Sequence, residues 1–212
     1  MASKKKSAAK KQASSERAYP KGIEVVSSKV SYEGPVFRVV TDEVREPGGL
    51  PHRRDVIRHN GSVVILAVDD SQSKRDPFIL LERQYRHAAA QYLYEIPAGS
   101  LEPGEEPLAG AKRELLEETG YKAKQWSKLV RYYASPGFLG EWMQIFLAEG
   151  LTPGDATPEE DENIELFAVP LSELLKQIEA GRILDGKTVA ATLLYDRVRK
   201  ERKRVAAKAQ SK

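Results

Sequence analysis

The sequence predicts an α+β protein, with a mixed β-sheet flanked by helices and a small antiparallel β arm before it. Short segments rich in β-branched and aromatic residues outnumber the helical segments. These strands do not alternate regularly with the helices, which argues against a purely parallel α/β sheet. The chain has 212 residues, 41% of them hydrophobic, which is enough for one sizeable core with a smaller appendage.

Composition shifts along the chain predict four segments. They are a disordered basic tail over 1–20, a β arm over 21–60, the main domain over 61–204 and a basic tail over 205–212. In the arm, IEVVSSKVSY and VFRVVTDEV are strands joined by the turn EGP, and RRDVIRH is a third strand. The arm has too few apolar residues for a core of its own.

In the main domain, strands are predicted for GSVVILAVDD, PFILLERQYRH, LVRYYA, WMQIFLAEG and LFAVP, and LYEIPAG runs into a loop. Helices are predicted over residues 105–119 and over LSELLKQIEAG, with Ser172 as its N-cap and Gly181 at its C-terminal end. A last helix is predicted from about Thr188 to Arg204.

Charge is distributed unevenly. The ends, residues 1–17 and 197–212, hold 14 of the 34 Lys and Arg residues but only 2 of the 31 Asp and Glu residues. The remaining body is therefore acidic, which suits an enzyme that collects divalent cations better than a nucleic-acid binder. Cysteine is absent, and no apolar run is long enough for a membrane span. We therefore expect a cytoplasmic protein with no membrane contact and no specific nucleic-acid partner.

The helix predicted over 105–119 concentrates acidic residues on one side. Glu114, Glu117 and Glu118 are spaced i, i+3 and i+4, so their carboxylates cluster, and Arg113 offsets part of the repulsion. The preceding loop, PAGSLEPGE, brings backbone carbonyls up to the same face. Hard divalent cations prefer such oxygen ligands, so the pattern predicts a metal site.

This stretch resembles the Nudix box, in which a Gly, a Glu and the run Arg-Glu-apolar-x-Glu-Glu-x-Gly-apolar stand at fixed spacing. The positions are filled by Gly99, Glu105, Arg113, Glu114, Leu115, Glu117, Glu118, Gly120 and Tyr121. The resemblance implies an α/β/α sandwich around a mixed sheet. It also implies Mg²⁺, for which Mn²⁺ can substitute, on Glu114, Glu117, Glu118 and the Ala98 carbonyl.

Flanking segments resemble the ADP-ribose pyrophosphatase subfamily of Nudix hydrolases. They are RQYRH, YEIPAG, SPG, the DEN loop and DGKT, and Pro136 lies fifteen residues after Tyr121. This implies Mg²⁺-dependent hydrolysis of ADP-ribose, a nucleoside diphosphate sugar, to AMP and ribose 5-phosphate. Enzymes for GDP-mannose closely resemble the same pattern, so that substrate stays an alternative.

The resemblance also suggests roles for single residues. The predicted substrate contacts are Arg86 for phosphate, Arg54 and Asp55 for the base, and Ser135, Gly137 and Glu141. The predicted catalytic residues are Glu117, Arg113 and Glu162, with Glu162 as general base on the acidic loop TPGDATPEEDEN and Glu160, Glu165 and Glu141 as alternatives. Glu95 is expected to hold Arg113 or a loop. The subfamily forms dimers through N-terminal strands, so we expect a homodimer.

Overall fold

The computed structural model describes residues 19–154 and 163–210. The chain divides into two compact units between Val56 and Ile57. No helix in the described ranges is long and apolar enough to cross a membrane.

The first unit is built on a three-stranded sheet with the order β1-β2-β3. The strands are β1 (Glu24–Glu33), β2 (Arg38–Arg45) and β3 (His52–Arg58), and β1 pairs antiparallel with β2. Val40 and Asp42 are its only buried residues among those described. The predicted antiparallel sheet at the N-terminal end is therefore confirmed, and it has almost no core of its own.

The second unit contains a seven-stranded mixed sheet. Its strands are β4 (Ser62–Asp69), β5 (Phe78–Arg86), β6 (Gln91–Glu95), β7 (Ala98–Ser100), β8 (Tyr121–Tyr133), β9 (Trp142–Pro153) and β10 (Glu165–Pro170). The main order is β10-β5-β4-β9-β8, with β6 added to β5 and β7 added to β4. The pair β4–β9 is parallel, whereas β4–β5 and β8–β9 are antiparallel.

Both faces of the central strand β4 are buried. Val63 and Ile65 point into one cluster with Ala111 and Leu115 of α1 (Pro107–Thr119). The alternate residues, such as Val64, point into a second cluster with residues of α2 (Leu171–Glu179) and α3 (Gly186–Gln210). A period of two along a strand sends successive side chains to opposite faces. Helices on both faces confirm the predicted sandwich.

Helix α1 follows the prediction closely. Pro107 occupies its first turn, where the missing N–H costs nothing, and Gly120 ends it with φ +69°. A residue with a side chain at Gly120 would be strained in this left-handed conformation. Sequence signals at the two ends therefore determine where this helix begins and ends.

Three predicted boundaries were wrong. Ser172 is not the N-cap of α2, because Pro170 holds that position. Both the N–H and the hydroxyl of Ser172 donate to Asp76, 96 residues earlier in the chain. Strand β8 begins at Tyr121 rather than near residue 129. Its apolar residues Tyr121, Ala123, Trp126 and Leu129 do not keep the two-residue spacing of a half-buried strand. Helix α3 continues to Gln210, consistent with the high helix propensity of Lys, Arg and Ala.

Candidate active site

The short strand β7 contacts one group of charged side chains and lines a cavity together with a second group. Its residues Ala98, Gly99 and Ser100 line a cavity of about 360 Å³. The other lining residues are Ser62, Arg86, Leu93, Glu95, Glu141, Met143, Asp185 and Lys187. Polar and charged groups thus converge here from β4, β5, β6, β7 and the start of α3.

The first group, which we call the α1 cluster, consists of Glu105, Arg113, Glu114 and Glu117. The Arg113 guanidinium donates to Glu105 through Nε and Nη2 at 3.1 Å each. Its Nη1 lies 2.9 Å from both Glu114 and Glu117. These partners, with Glu105 the strongest, raise the pKa of Arg113 above its ordinary value. One arginine therefore forms ion pairs with three carboxylates.

Strand β7 contacts this helix directly. The Ala98 N–H donates to Glu118 Oε2 at 3.1 Å, and Arg113 Nη2 approaches the Ser100 carbonyl at 3.4 Å. Gly99 leaves the space that the Glu114 carboxylate fills, because a Cβ at this position would overlap that carboxylate. The glycine at this position thus allows the close approach of β7 to the acidic face of α1.

The second group, the α3 network, consists of Arg86, Glu95, Asp185 and Lys187. Arg86 donates through Nε and Nη2 to the two oxygens of Glu95, at 2.8 and 2.9 Å. Lys187 donates to Glu95 Oε2 and to Asp185 Oδ1. Burial would raise the pKa of Glu95, but the bonds from Arg86 and Lys187 outweigh burial and hold it below its ordinary value. Glu95 therefore holds Arg86 and Lys187, and Arg113 pairs elsewhere.

The predicted substrate residues fall into different places. Arg86 and Glu141 both line the cavity, and Glu141 accepts a hydrogen bond from the Ser62 hydroxyl at 2.5 Å. Ser135 and Gly137 lie in the loop between β8 and β9, where the Ser135 carbonyl accepts the N–H of Leu139 at 2.9 Å. They do not line this cavity.

Arg54 and Asp55 lie on β3 in the first unit. Arg54 pairs with Glu46, and Asp55 accepts from Thr41 and Arg53. These bonds hold the pKa of Asp55 below its ordinary value, with that from Thr41 the largest cause.

The predicted general base, Glu162, lies outside the described residues, as does Glu160. Two further glutamates could serve as the base on sequence grounds, and both are described. Glu165 lies on β10 in an ion pair with Arg83, and Glu141 lines the cavity.

Sequence reasoning missed Asp185 and Lys187 as site residues. The segment DGKT contributes to the subfamily resemblance, but the resemblance assigned no role to a residue within it. A signal was present, because Asp is a preferred N-cap residue directly before a predicted helix. Asp185 does accept the N–H and hydroxyl of Thr188, at 2.9 and 2.6 Å. Nothing local shows that this helix start faces Glu95.

Comparisons with known proteins identify the family of this chain. A family profile described as the NUDIX domain matches residues 58–191. An ADP-ribose pyrophosphatase of Bacillus subtilis (strain 168) is 38% identical over 168 residues, which cover 78% of this chain and 88% of that protein. A GDP-mannose pyrophosphatase of Citrobacter koseri is 34% identical, covering 73% and 84%. A crystal structure of an ADP compounds hydrolase superposes with a TM-score of 0.74 at 21% identity, covering 88% and 98%.

The chain therefore belongs to the Nudix family and is a Nudix hydrolase. Enzymes of this family generally use a divalent metal ion.

Proposed function

We propose that this enzyme hydrolyses the diphosphate linkage of ADP-ribose with Mg²⁺, or Mn²⁺ in its place, giving AMP and ribose 5-phosphate. Water adds to one phosphorus, and the bridging P–O bond breaks to leave two monophosphates. The observation that carries the proposal is the strand β7, which joins an acidic helix to a cavity that contains Arg86 and Lys187. Such a site can hold a cation beside a diphosphate.

The residues on α1 fit a hard divalent cation. Among the described residues no three acidic or histidine side chains are already gathered as a set of ligands. Arg113 Nη1 lies 2.9 Å from both Glu114 and Glu117. The atoms that could coordinate a metal here are carboxylate and carbonyl oxygens, which hard cations prefer. Gly99 makes room for the Glu114 carboxylate next to the Ala98 backbone. Glu114, Glu117, Glu118 and the Ala98 carbonyl would hold the metal. When bound, Mg²⁺ supplies charge neutralisation for the diphosphate and a lower pKa for water.

The protein groups have separate proposed roles. Arg86 binds a phosphate through its planar guanidinium group. Two observations support this role: Arg86 lines the cavity, and its side chain is 41% exposed. Arg113 and Glu117 keep the carboxylates of the α1 cluster in place. Glu162 takes the proton from water, and Glu141 is the second candidate base, which its place in the cavity favours.

The remaining assignments concern specificity. Ser135 and Gly137 contact the terminal ribose through backbone groups, and Arg54 and Asp55 contact the base. These proposals rest on the resemblance alone. GDP-mannose is the second candidate substrate, because the relative from Citrobacter koseri carries that name.

A substrate panel tests the proposal. Purified enzyme with Mg²⁺ is given ADP-ribose, GDP-mannose, ADP-glucose and ATP, and products are identified by chromatography. ADP-ribose should give the highest kcat/KM and yield AMP and ribose 5-phosphate, with no turnover in excess EDTA. If GDP-mannose is preferred tenfold or more, the second candidate replaces the first, and turnover in EDTA contradicts the metal role.

We also propose that the enzyme is a homodimer formed through the arm. Large apolar side chains stay exposed on the first unit, among them Val30 at 48% and Val36 at 68%. A sheet with so little core gains stability when another surface covers it.

Light scattering after size exclusion should give twice the mass of 23.6 kDa for the wild-type protein. Val30→Asp should shift it to monomer, whereas the matched control Val205→Asp, on the exposed end of α3, should not. A monomeric wild-type protein would overturn the proposal.

A further inference from the structure

Glu95 is a buried carboxylate that two cations share. Its side chain is only 3% exposed, and that of Lys187 is 9% exposed. Arg86 uses Nε and Nη2 for Glu95, so within the described part of the chain its Nη1 group has no protein acceptor. One edge of the Arg86 guanidinium, Nε and Nη2, is therefore fixed by Glu95, and Nη1 remains available to a ligand in the cavity.

Lys187 is itself held by the start of α3. Asp185 precedes that helix, caps it through Thr188 and accepts from Lys187 at 3.1 Å. The Thr188 hydroxyl also accepts the N–H of Ile96 at 2.9 Å, so the residue that follows Glu95 is tied to the same turn. The first turn of α3 therefore fixes the position of Glu95 through both a side chain and the backbone.

The charge balance of the α3 network depends on Lys187. Arg86 and Lys187 carry two positive charges against the two negative charges of Glu95 and Asp185. Without Lys187, Arg86 alone would have to compensate a buried carboxylate, and a buried charge without sufficient compensation is costly. Arg86 would then be the only remaining cation of the α3 network, and the network would carry a net negative charge that weakens the attraction for a diphosphate.

We propose that Lys187 is a positioning residue, which neutralises and fixes Glu95 so that the Arg86 guanidinium stays oriented and available for the substrate diphosphate. Lys187 acts through Glu95 and Arg86 and makes no direct bond to the phosphates. The inference rests on the proposed function, because it takes Arg86 as a phosphate ligand.

A double-mutant cycle tests this coupling. Steady-state KM and kcat are measured for the best substrate of the panel with Arg86→Gln, Lys187→Met and both together. Loss of a charge-assisted phosphate bond should raise KM by about 10²-fold in Arg86→Gln, and Lys187→Met should raise it about tenfold with kcat within threefold. The double variant should match Arg86→Gln alone. The control Lys200→Met, at a lysine of the same helix whose side chain is 74% exposed, should behave as wild type.

Further variants separate positioning from folding. Lys187→Arg keeps the charge and should restore KM to within about threefold of wild type. Glu95→Gln with Lys187→Met removes both buried charges at once, which is far less costly than removing one. This double variant should have a lower KM than Lys187→Met alone. Its KM remains measurable if the single variant Lys187→Met fails to fold.

A readout without substrate is the Arg86 Nε–H resonance, assigned by its loss in Arg86→Gln. It should exchange slowly in wild type and in Lys200→Met but change in shift and exchange rate in Lys187→Met. Additive KM effects, or an unchanged resonance, would overturn the inference. An Arg86→Gln variant with normal KM would overturn it too and remove Arg86 as a ligand, while failure of every panel substrate would contradict the proposed function itself.

Discussion

The α1 cluster and the α3 network both adjoin the same short strand but differ in charge balance. In the α1 cluster, one arginine faces three glutamates, and Glu118 follows on the same helix. In the α3 network, two cations face two carboxylates. Excess negative charge favours the binding of a cation, whereas in a balanced network an arginine remains available to bind an anion. This difference supports the proposal that the metal binds at the α1 cluster and the diphosphate beside the α3 network.

The largest expected effect comes from a residue outside both groups. The carboxylates of the α1 cluster and the α3 network all have cationic partners, so they are poor proton acceptors. Glu162→Gln should therefore lower kcat by at least about 10² and change KM little, as expected for loss of a general base.

Glu160→Gln, Glu165→Gln and Glu141→Gln are the matched variants for this prediction, each measured by steady-state kinetics under the same conditions. If Glu162→Gln keeps more than a tenth of the wild-type kcat and Glu141→Gln does not, the base lies in the cavity beside the α3 network.

The effect of Mg²⁺ on the free energy of unfolding of an Arg113 variant should distinguish the α1 cluster from the α3 network. Arg113→Met leaves three carboxylates without their shared cation and should lower the free energy of unfolding by about 2 kcal/mol. Added Mg²⁺ should recover part of this loss, because a ligand that binds only the folded state stabilises it. The measurement is urea unfolding with and without Mg²⁺.

Lys187→Met serves as the comparison in that experiment, since Mg²⁺ should not relieve its loss of stability. Equal rescue of both variants would show that the metal does not distinguish the two groups.

The smallest effect concerns pH. The pKa of Glu95 lies below its ordinary value in the folded protein, so its contribution to stability is complete above the unfolded value of about 4.3. That contribution is lost as pH falls through the folded pKa. Glu95→Gln should therefore be less stable than wild type at pH 7, and the difference should shrink in acid. A difference that stays constant down to pH 3 would contradict the assignment.

The sequence predicted the α1 cluster because all its parts lie within residues 105–117. Pro107, Gly120 and the spacing of the glutamates act locally, and each has a direct structural consequence. The α3 network joins Glu95 to Lys187, 92 residues apart. No local pattern encodes that pairing, since it depends on how α3 packs against the sheet.

The errors in the fold have the same origin. Serine is a residue type that is typical of N-caps, but the N–H and hydroxyl of Ser172 donate hydrogen bonds to a distant aspartate, Asp76. In β8, Lys124 and Gln125 are successive exposed polar residues of an edge strand, so the apolar alternation is interrupted there. Local propensity is a weak prior wherever tertiary contacts provide the partner.

The most direct test of the central claim is a pair of titrations on two variants. Isothermal calorimetry measures the binding of Mg²⁺, and separately of the α,β-methylene analogue of ADP-ribose, to wild type, Glu118→Gln and Arg86→Gln. Glu118→Gln should lose Mg²⁺ affinity, whereas Arg86→Gln should bind Mg²⁺ as wild type does and lose affinity for the analogue. Wild-type Mg²⁺ affinity in Glu118→Gln, or wild-type analogue affinity in Arg86→Gln, would contradict the central claim.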